Sequence, residues 1–102
     1  MKIAVVGAGC SGLVTLKYLA DAFPTAEIVC FEKGHSVRGA WGDQRPDFVS
    51  TSTKYTTQFS CFRKWDAGVA PEQNYEEFYR GAEFGDYLEE FAARFKLRER
   101  IR

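Results

Sequence analysis

Three glycines near the start of the sequence have a spacing that suits phosphate binding. They lie at positions 7, 9 and 12 and form the pattern G-x-G-x-x-G. Gly7 would permit a tight turn, Gly9 would let a pyrophosphate approach the backbone, and Gly12 would let a helix pack closely on a strand. The unpaired N–H groups at the start of that helix would then attract an anion. The spacing therefore predicts a site for the diphosphate of a dinucleotide.

The elements around these glycines are the ones that such a site requires. The apolar, β-branched run from Lys2 to Val6 predicts a central parallel strand covered on both faces. Apolar residues at helical spacing from Leu13 to Ala20 predict a helix that Pro24 ends. A second strand is predicted from Ile28 to Phe31. Strand, helix and strand within about 30 residues form a βαβ unit, so the predicted fold class is α/β and Rossmann-like, with a further helix toward the C-terminus.

An acidic residue closes this unit at the end of its second strand. Glu32 lies 20 residues after Gly12, where a carboxylate would accept hydrogen bonds from both ribose hydroxyls of an adenosine and repel a 2′-phosphate. NAD and FAD both carry an ADP half that fits this pattern. The glycines and Glu32 therefore leave the choice between the two cofactors open.

Short segments in the rest of the chain carry a resemblance to a known family. Glu32-Lys33 is followed by Arg38-Gly39-Ala40-Trp41, and the hydroxyl-rich stretch from Ser50 to Lys54 precedes Phe59-Ser60-Cys61-Phe62. Over its whole length the chain resembles the flavin-containing monooxygenases and related FAD-dependent, NADPH-using monooxygenases. Their Gly-Gly-x-Trp element corresponds to positions 38–41, and their Phe-Ser-Asp-Phe-like element corresponds to positions 59–62.

Three positions depart from the pattern of this family. Arg38 replaces its first glycine, and Cys61 stands where an aspartate is usual. Thr51 corresponds to a position near the flavin and nicotinamide that is asparagine in many members, so this departure bears on active-site chemistry more than on FAD binding. Farther on, Asn74-Tyr75 and a helix expected from Phe84 to Leu97 resemble the segment before the family's next strand.

The resemblance implies a flavoprotein oxidoreductase. FAD would be the bound cofactor, and NADPH would be the reductant of a complete enzyme that oxygenates a soft nucleophile or a ketone with O2. No catalytic residue and no metal ligand is assigned. The residues expected to bind the cofactor are Gly7, Ala8, Gly9, Cys10, Ser11, Gly12, Glu32, Lys33, Gly39, Ala40, Trp41 and Thr51.

The chain is short for such an enzyme. Its 102 residues contain no second glycine pattern that would bind NADPH. We therefore expect residues 1–102 to form a partial FAD-binding domain of a truncated or split protein, with the NADPH-binding domain absent. Two alternatives stand beside this hypothesis. One is a stand-alone NAD(H)- or FAD-binding module without catalysis, and the other is a non-functional remnant whose sheet exposes an apolar edge.

Several residues also have plain structural interpretations. We expect Ser50 to Thr57 to form an irregular packed segment, Lys54 to be exposed, and His35 to be a solvated loop residue. Cys10 begins a helix, where a thiol can become reactive, but a small residue beside a pyrophosphate is the simpler role. Trp41 would either cover one end of a flavin or anchor its loop in the core. The charges of the C-terminal helix are expected to form a solvated face.

Composition excludes some classes of partner. Fourteen basic and fourteen acidic residues cancel, so no global field attracts nucleic acid or an anionic membrane. Three cysteines without CxxC spacing predict neither a disulfide framework nor a metal site, and they suit a reducing cytoplasm. No apolar run reaches the roughly 20 residues of a membrane span. The expected partners are a dinucleotide and, in the complete enzyme, a small-molecule substrate and a missing C-terminal part.

Overall fold

The predicted strand, helix and strand open the fold. The computed structural model describes residues 1–41, 45, 47–65 and 78–102. Strand β1 is Lys2–Val6, helix α1 is Cys10–Ala22 and strand β2 is Glu27–Phe31. The two strands pair in parallel along their whole length. The predicted α/β, Rossmann-like fold class is therefore confirmed, and α1 begins inside the glycine pattern, so the second half of that pattern is the first turn of the helix.

Packed side chains cover only one face of this two-stranded sheet. Val5 and Ile28 are buried in the same core cluster as Leu13 of α1. On the opposite face Val6 is 88% exposed and Phe31 is 53% exposed. The prediction that the first strand is covered on both faces is therefore wrong within the described part of the chain, where nothing buries these two side chains.

Helix α2, Glu83–Arg94, supplies much of the aromatic core. Tyr87 and Phe91 are buried, and their rings pack against those of Phe59 and Phe62. The Tyr87 hydroxyl accepts a hydrogen bond from the Phe59 N–H at 2.8 Å and donates one to the Phe62 carbonyl at 2.6 Å. Burial raises the pKa of Tyr87 to about 12, so the hydroxyl keeps the proton that it donates. Helix α2 therefore holds the segment from Phe59 to Phe62 in place.

The C-terminal helix is shorter than the sequence predicts. It ends at Arg94, Lys96 adopts a left-handed conformation with φ of 56°, and Leu97–Arg100 form a 3-10 turn. This break turns Leu97 into the core, where it is 1% exposed. The prediction of one helix as far as Leu97 is therefore wrong. In the described ranges, no helix combines the length and apolar character that a membrane span requires.

The hydroxyl-rich stretch contains a strand, which corrects the prediction of an irregular segment. Strand β3, Val49–Thr53, pairs antiparallel with strand β4, Phe78–Arg80. The pairing joins residues far apart in sequence, so no local pattern indicates it. Lys54 follows β3 and is 3% exposed, because its ammonium group forms an ion pair with Glu83 at 3.0 Å. The prediction that Lys54 is exposed is wrong, and the predicted match at Asn74-Tyr75 lies outside the described residues.

The acidic residues of α2 bind the loops that precede the helix. Besides the pair with Lys54, Arg38 contacts Asp86 and Glu89, and Lys64 contacts Glu90. These contacts correct the expectation that the charges form only a solvated face. The carboxylates of α2 therefore hold the segments that contain Arg38, Lys54 and Lys64 against the helix.

The last two residues extend the first sheet at the outer edge of β2. Ile101 forms a parallel bridge with Cys30, and the Arg102 N–H donates to the Cys30 carbonyl at 2.8 Å. The Glu32 N–H in turn donates to the Arg102 carbonyl at 3.0 Å. These hydrogen bonds cover part of the strand edge that would otherwise be open.

Replacing Gly12 by alanine should strongly destabilise the chain. A Cβ atom at this position would overlap the carbonyl oxygen of Gly7 and lie 2.8 Å from its carbonyl carbon. Because relief requires α1 to move away from the end of β1, we expect the free energy of unfolding to fall by about 3 kcal/mol or more. Urea unfolding followed by circular dichroism would measure the loss.

Gly9→Ala is the matched control for this substitution. A Cβ atom at Gly9 would meet only the Gly39 Cα atom, at an ordinary distance of 3.8 Å. The free energy of unfolding should therefore change little. Equal losses in the two variants would contradict the close packing of Gly12 on Gly7.

Candidate functional site

The glycine pattern forms a turn that leads directly into α1. Gly7 has φ of +89°, a conformation that side-chain-bearing residues rarely adopt, and its N–H donates to the Phe31 carbonyl at 2.8 Å. Gly9 is the N-cap residue of α1. No side chain caps this end of the helix, and its first turn holds no acidic residue. The N–H groups and the positive end of the helix dipole are therefore available to an anion.

A cleft of about 380 Å³ lies in front of this helix end. The 3-10 turn Gly39–Trp41 lines part of this cleft and packs against Gly9, since a Cβ atom at Gly39 would lie 3.3 Å from the Gly9 Cα atom. The structure thus brings most of the predicted site residues to one cleft. Its lining residues are Val6, Gly7, Gly9, Cys10, Ser11, Gly12, Gly39 and Trp41.

Glu32 is held in place by two backbone N–H groups. Its Oε1 atom accepts a hydrogen bond from Ala8 at 2.8 Å, and its Oε2 atom accepts one from Gly34 at 2.7 Å. The Ala8 N–H, followed by the Gly34 N–H, lowers the pKa of the Glu32 carboxyl, so the group is ionised at neutral pH. A carboxylate oxygen accepts more than one hydrogen bond, so each still has capacity for a hydroxyl donor. Ala8 itself is fully buried and contributes its backbone rather than a side chain.

A second cleft, of about 610 Å³, lies at the carboxyl ends of β1 and β2. Glu32 and Lys33 line it, and so does Arg102, which no sequence pattern predicts to be a site residue. Both clefts include Val6 and Gly7, so they adjoin at the end of β1. An extended ligand can therefore lie against the helix end and Glu32 at once. Only the tertiary pairing of Arg102 with β2 brings it here, and no local pattern signals that pairing.

The other residues considered as site candidates do not all lie at these clefts. Thr51 is exposed on β3 and lines neither cleft, and His35 is exposed in the loop after β2. Burial raises the pKa of the Cys10 thiol, which disfavours the reactive thiolate and supports the interpretation as a small residue beside the cleft. Trp41 packs edge-on against Phe84 with ring centroids 5.1 Å apart, so it anchors its turn in the core while also lining the cleft. Ala40 belongs to the same turn.

Replacing Glu32 by glutamine should lower the stability of the ligand-free chain in a pH-dependent manner. An amide nitrogen cannot accept a hydrogen bond, so one of the two backbone N–H groups loses its partner. We expect a loss of about 1 kcal/mol at neutral pH, or about 4–8 °C in the melting temperature.

The pH dependence follows from the lowered pKa of Glu32 in the folded chain. Its contribution is complete above the unfolded pKa of about 4.3 and is lost as the pH falls through the lower folded value. The difference between wild type and Glu32→Gln should therefore shrink below about pH 4 in thermal melts. A difference that is constant from pH 7 to pH 3 would contradict this account.

Comparison with known proteins shows the family of the chain. Residues 4–101 match the protein family described as FAD-NAD(P)-binding. Monooxygenase PC-14 from Penicillium crustosum is 36% identical over 108 residues, which cover 100% of this chain and 18% of that protein. The N-oxide-forming dimethylaniline monooxygenase 4 of Homo sapiens is 32% identical over 103 residues, which cover 94% of this chain and 17% of that protein.

A solved structure has a similar fold. The oxidized steroid monooxygenase bound to NADP superposes with a TM-score of 0.78 at 25% identity, and the match covers 100% of this chain and 19% of that one. The present chain thus spans less than a fifth of the length of each of these three monooxygenases. Because the family match extends over nearly all of its residues, the chain belongs to the FAD-NAD(P)-binding family and is similar to one part of the flavin-dependent monooxygenases.

Proposed function

We propose that this chain binds FAD and serves as the FAD-binding part of a flavin-dependent monooxygenase. One observation carries the proposal: an uncapped helix N-terminus, approached over Gly9, adjoins an ionised carboxylate at the end of the neighbouring strand. The two groups match the two parts of ADP, which are an anionic diphosphate and a ribose with two hydroxyl donors. Both belong to adjoining clefts at the same end of the sheet.

The diphosphate would lie against the first turn of α1. The N–H groups of this turn would donate to its oxygens, and each such hydrogen bond to a charged group contributes about 1.5–3 kcal/mol. The helix dipole adds a smaller contribution of the same sign. Gly9 presents no side chain to this cleft, so the backbone itself would contact the ligand.

The ribose of the adenosine would lie at Glu32. Its carboxylate is already oriented by Ala8 and Gly34, so binding a diol would require no rearrangement of the side chain. The same negative charge would repel a 2′-phosphate, so this site should reject NADP and accept FAD. Lys33 and Arg102 would lie around the same half of the ligand, since both line the cleft at Glu32.

The choice of FAD over NAD is supported by the relatives, which include monooxygenases over the whole length of this chain. The turn Gly39–Trp41 would flank the ligand beyond its diphosphate, with Trp41 fixed by its contact with Phe84. When bound, FAD would supply the redox chemistry by which two electrons of NADPH allow one oxygen atom of O2 to enter a soft nucleophile or a ketone while the other oxygen atom leaves as water. This chain's own residues would bind and orient the cofactor.

We further propose that residues 1–102 form only one part of a complete monooxygenase. NADPH and the small-molecule substrate would be bound by other parts of the complete enzyme, because the sequence contains one glycine pattern of this kind. A reducing cytoplasm is the proposed location, since Cys10, Cys30 and Cys61 are free thiols. Thr51 keeps its proposed place near the flavin only through the family resemblance.

The proposal is tested by titrating the purified chain with FAD, ADP, FMN and NAD. FAD should bind, ADP should compete with it, and FMN, which lacks the adenosine, should bind at least about tenfold more weakly. Gly9→Asp should abolish FAD binding because its carboxylate would face the diphosphate, and Gly9→Ala should weaken it while leaving the fold stable. Flavin fluorescence and circular dichroism would measure binding and folding.

Three results would contradict the proposal. The first is equal affinity for FMN and FAD, which would mean that the adenosine half is not recognised. The second is unchanged FAD affinity in folded Gly9→Asp. The third is tight NAD binding without FAD binding, which would support the alternative of a stand-alone NAD(H)-binding module.

A further inference from the structure

Arg38 joins the turn before the cofactor cleft to helix α2. Its Nη2 atom donates to Glu89 at 2.8 Å and to Asp86 at 2.5 Å, and its Nη1 atom donates to the Ala82 carbonyl at 3.3 Å. The Arg38 side chain is 20% exposed, so these charge-assisted hydrogen bonds are partly shielded from water. We call Arg38, Asp86 and Glu89 the Arg38 latch.

Helix α2 provides a close fit for this side chain at Gly85. A Cβ atom at Gly85 would lie 2.6 Å from Arg38 Nη1 and 3.1 Å from the Trp41 carbonyl oxygen. Gly85 is itself buried. The guanidinium and the end of the turn therefore lie directly on the backbone of α2. The turn has little freedom to move while the hydrogen bonds of Arg38 are intact.

The same turn lines the cleft in front of α1. The Trp41 N–H donates to the Arg38 carbonyl at 3.0 Å, so the turn begins at the latch residue itself. At its start, Gly39 approaches Gly9 so closely that an added Cβ would be 3.3 Å from the Gly9 Cα atom. Gly39 thus packs directly against the backbone proposed to bind the phosphates.

We propose that Arg38 is a positioning residue. It holds the turn Gly39–Trp41 against Gly9, in the position that the cofactor requires. It acts through the acids of α2 and does not contact the cofactor. This inference rests on the proposed function, because the cleft that it shapes is the proposed diphosphate site. The family pattern has a glycine at this position, so the resemblance by itself does not predict this contact.

Arginine suits this role better than lysine does. Its planar guanidinium donates from two nitrogens to three acceptors on α2, whereas an ammonium group is a point charge on a flexible stem. Arg38→Lys keeps the positive charge and loses the planar guanidinium with its two donor nitrogens. Arg38→Met keeps much of the length and loses both, so the two variants separate charge from geometry.

The experiment compares FAD affinity in these two variants, in the pair Asp86→Asn with Glu89→Gln, and in the combination of that pair with Arg38→Met. Arg94→Met is the matched control, because it removes a cation from α2 that lies outside the latch and both clefts. All dissociation constants are measured below the unfolding temperature of every variant. A second readout is acrylamide quenching of Trp41 in a Trp65→Phe background, where Trp41 is the only tryptophan.

The expected loss of FAD affinity for Arg38→Met is about five- to tenfold, since a freed turn must be ordered on binding. The acid pair should show a similar loss, the combination should add little to it, and Arg38→Lys should be intermediate. Quenching of Trp41 should increase in step with these losses. Arg94→Met should match wild type in both readouts.

Two results would overturn the proposal. One is a lower melting temperature for Arg38→Met with unchanged FAD affinity and unchanged Trp41 quenching, which would make the latch a stabilising contact only. The other is full additivity between Arg38→Met and the acid pair, which would mean that Arg38 does not act through them. If wild type binds neither FAD nor ADP, the proposed function fails by itself, and unchanged Trp41 quenching in Arg38→Met would separately overturn the latch.

Discussion

The contact between Gly12 and the Gly7 carbonyl is the constraint on which the rest of the structure depends. It leaves no room for a single methyl group, and it sets the distance between α1 and the end of β1. That distance places the first turn of α1 beside the carboxyl ends of both strands. The buried backbone of Ala8 can then reach Glu32 at the end of β2. Helix dipole and carboxylate thus adjoin because of one glycine.

The sequence predicts the parts of the fold that local contacts determine. The bounds of β1 and the conformation of Gly7 follow from residues within one short segment, and the acid at Glu32 follows from its spacing. Strand β3 escapes prediction because it pairs with a partner about 30 residues away, and burial of Lys54 depends on Glu83 of α2. The same holds for the cleft: its glycine half is local, whereas Arg102 reaches it through tertiary pairing alone.

Helix α2 is an organising element more than a part of the site. Its apolar side packs on the core, and its acids accept cations from three loop positions, Arg38, Lys54 and Lys64. Such pairs are worth little when fully exposed, but Lys54 is buried and Arg38 is largely covered. The loops near the cleft in front of α1 therefore take their positions from a helix that contributes no side chain to either cleft.

The pairing of Ile101 and Arg102 with the end of β2 has a consequence for the order of events during protein synthesis. The wall that Arg102 contributes is absent from a nascent polypeptide until the ribosome has added that residue. A growing chain can form the glycine turn and α1 early, since these lie within its first 22 residues. The cleft at Glu32 gains the wall that Arg102 contributes only about eighty residues later, so it is complete only after translation of this whole region.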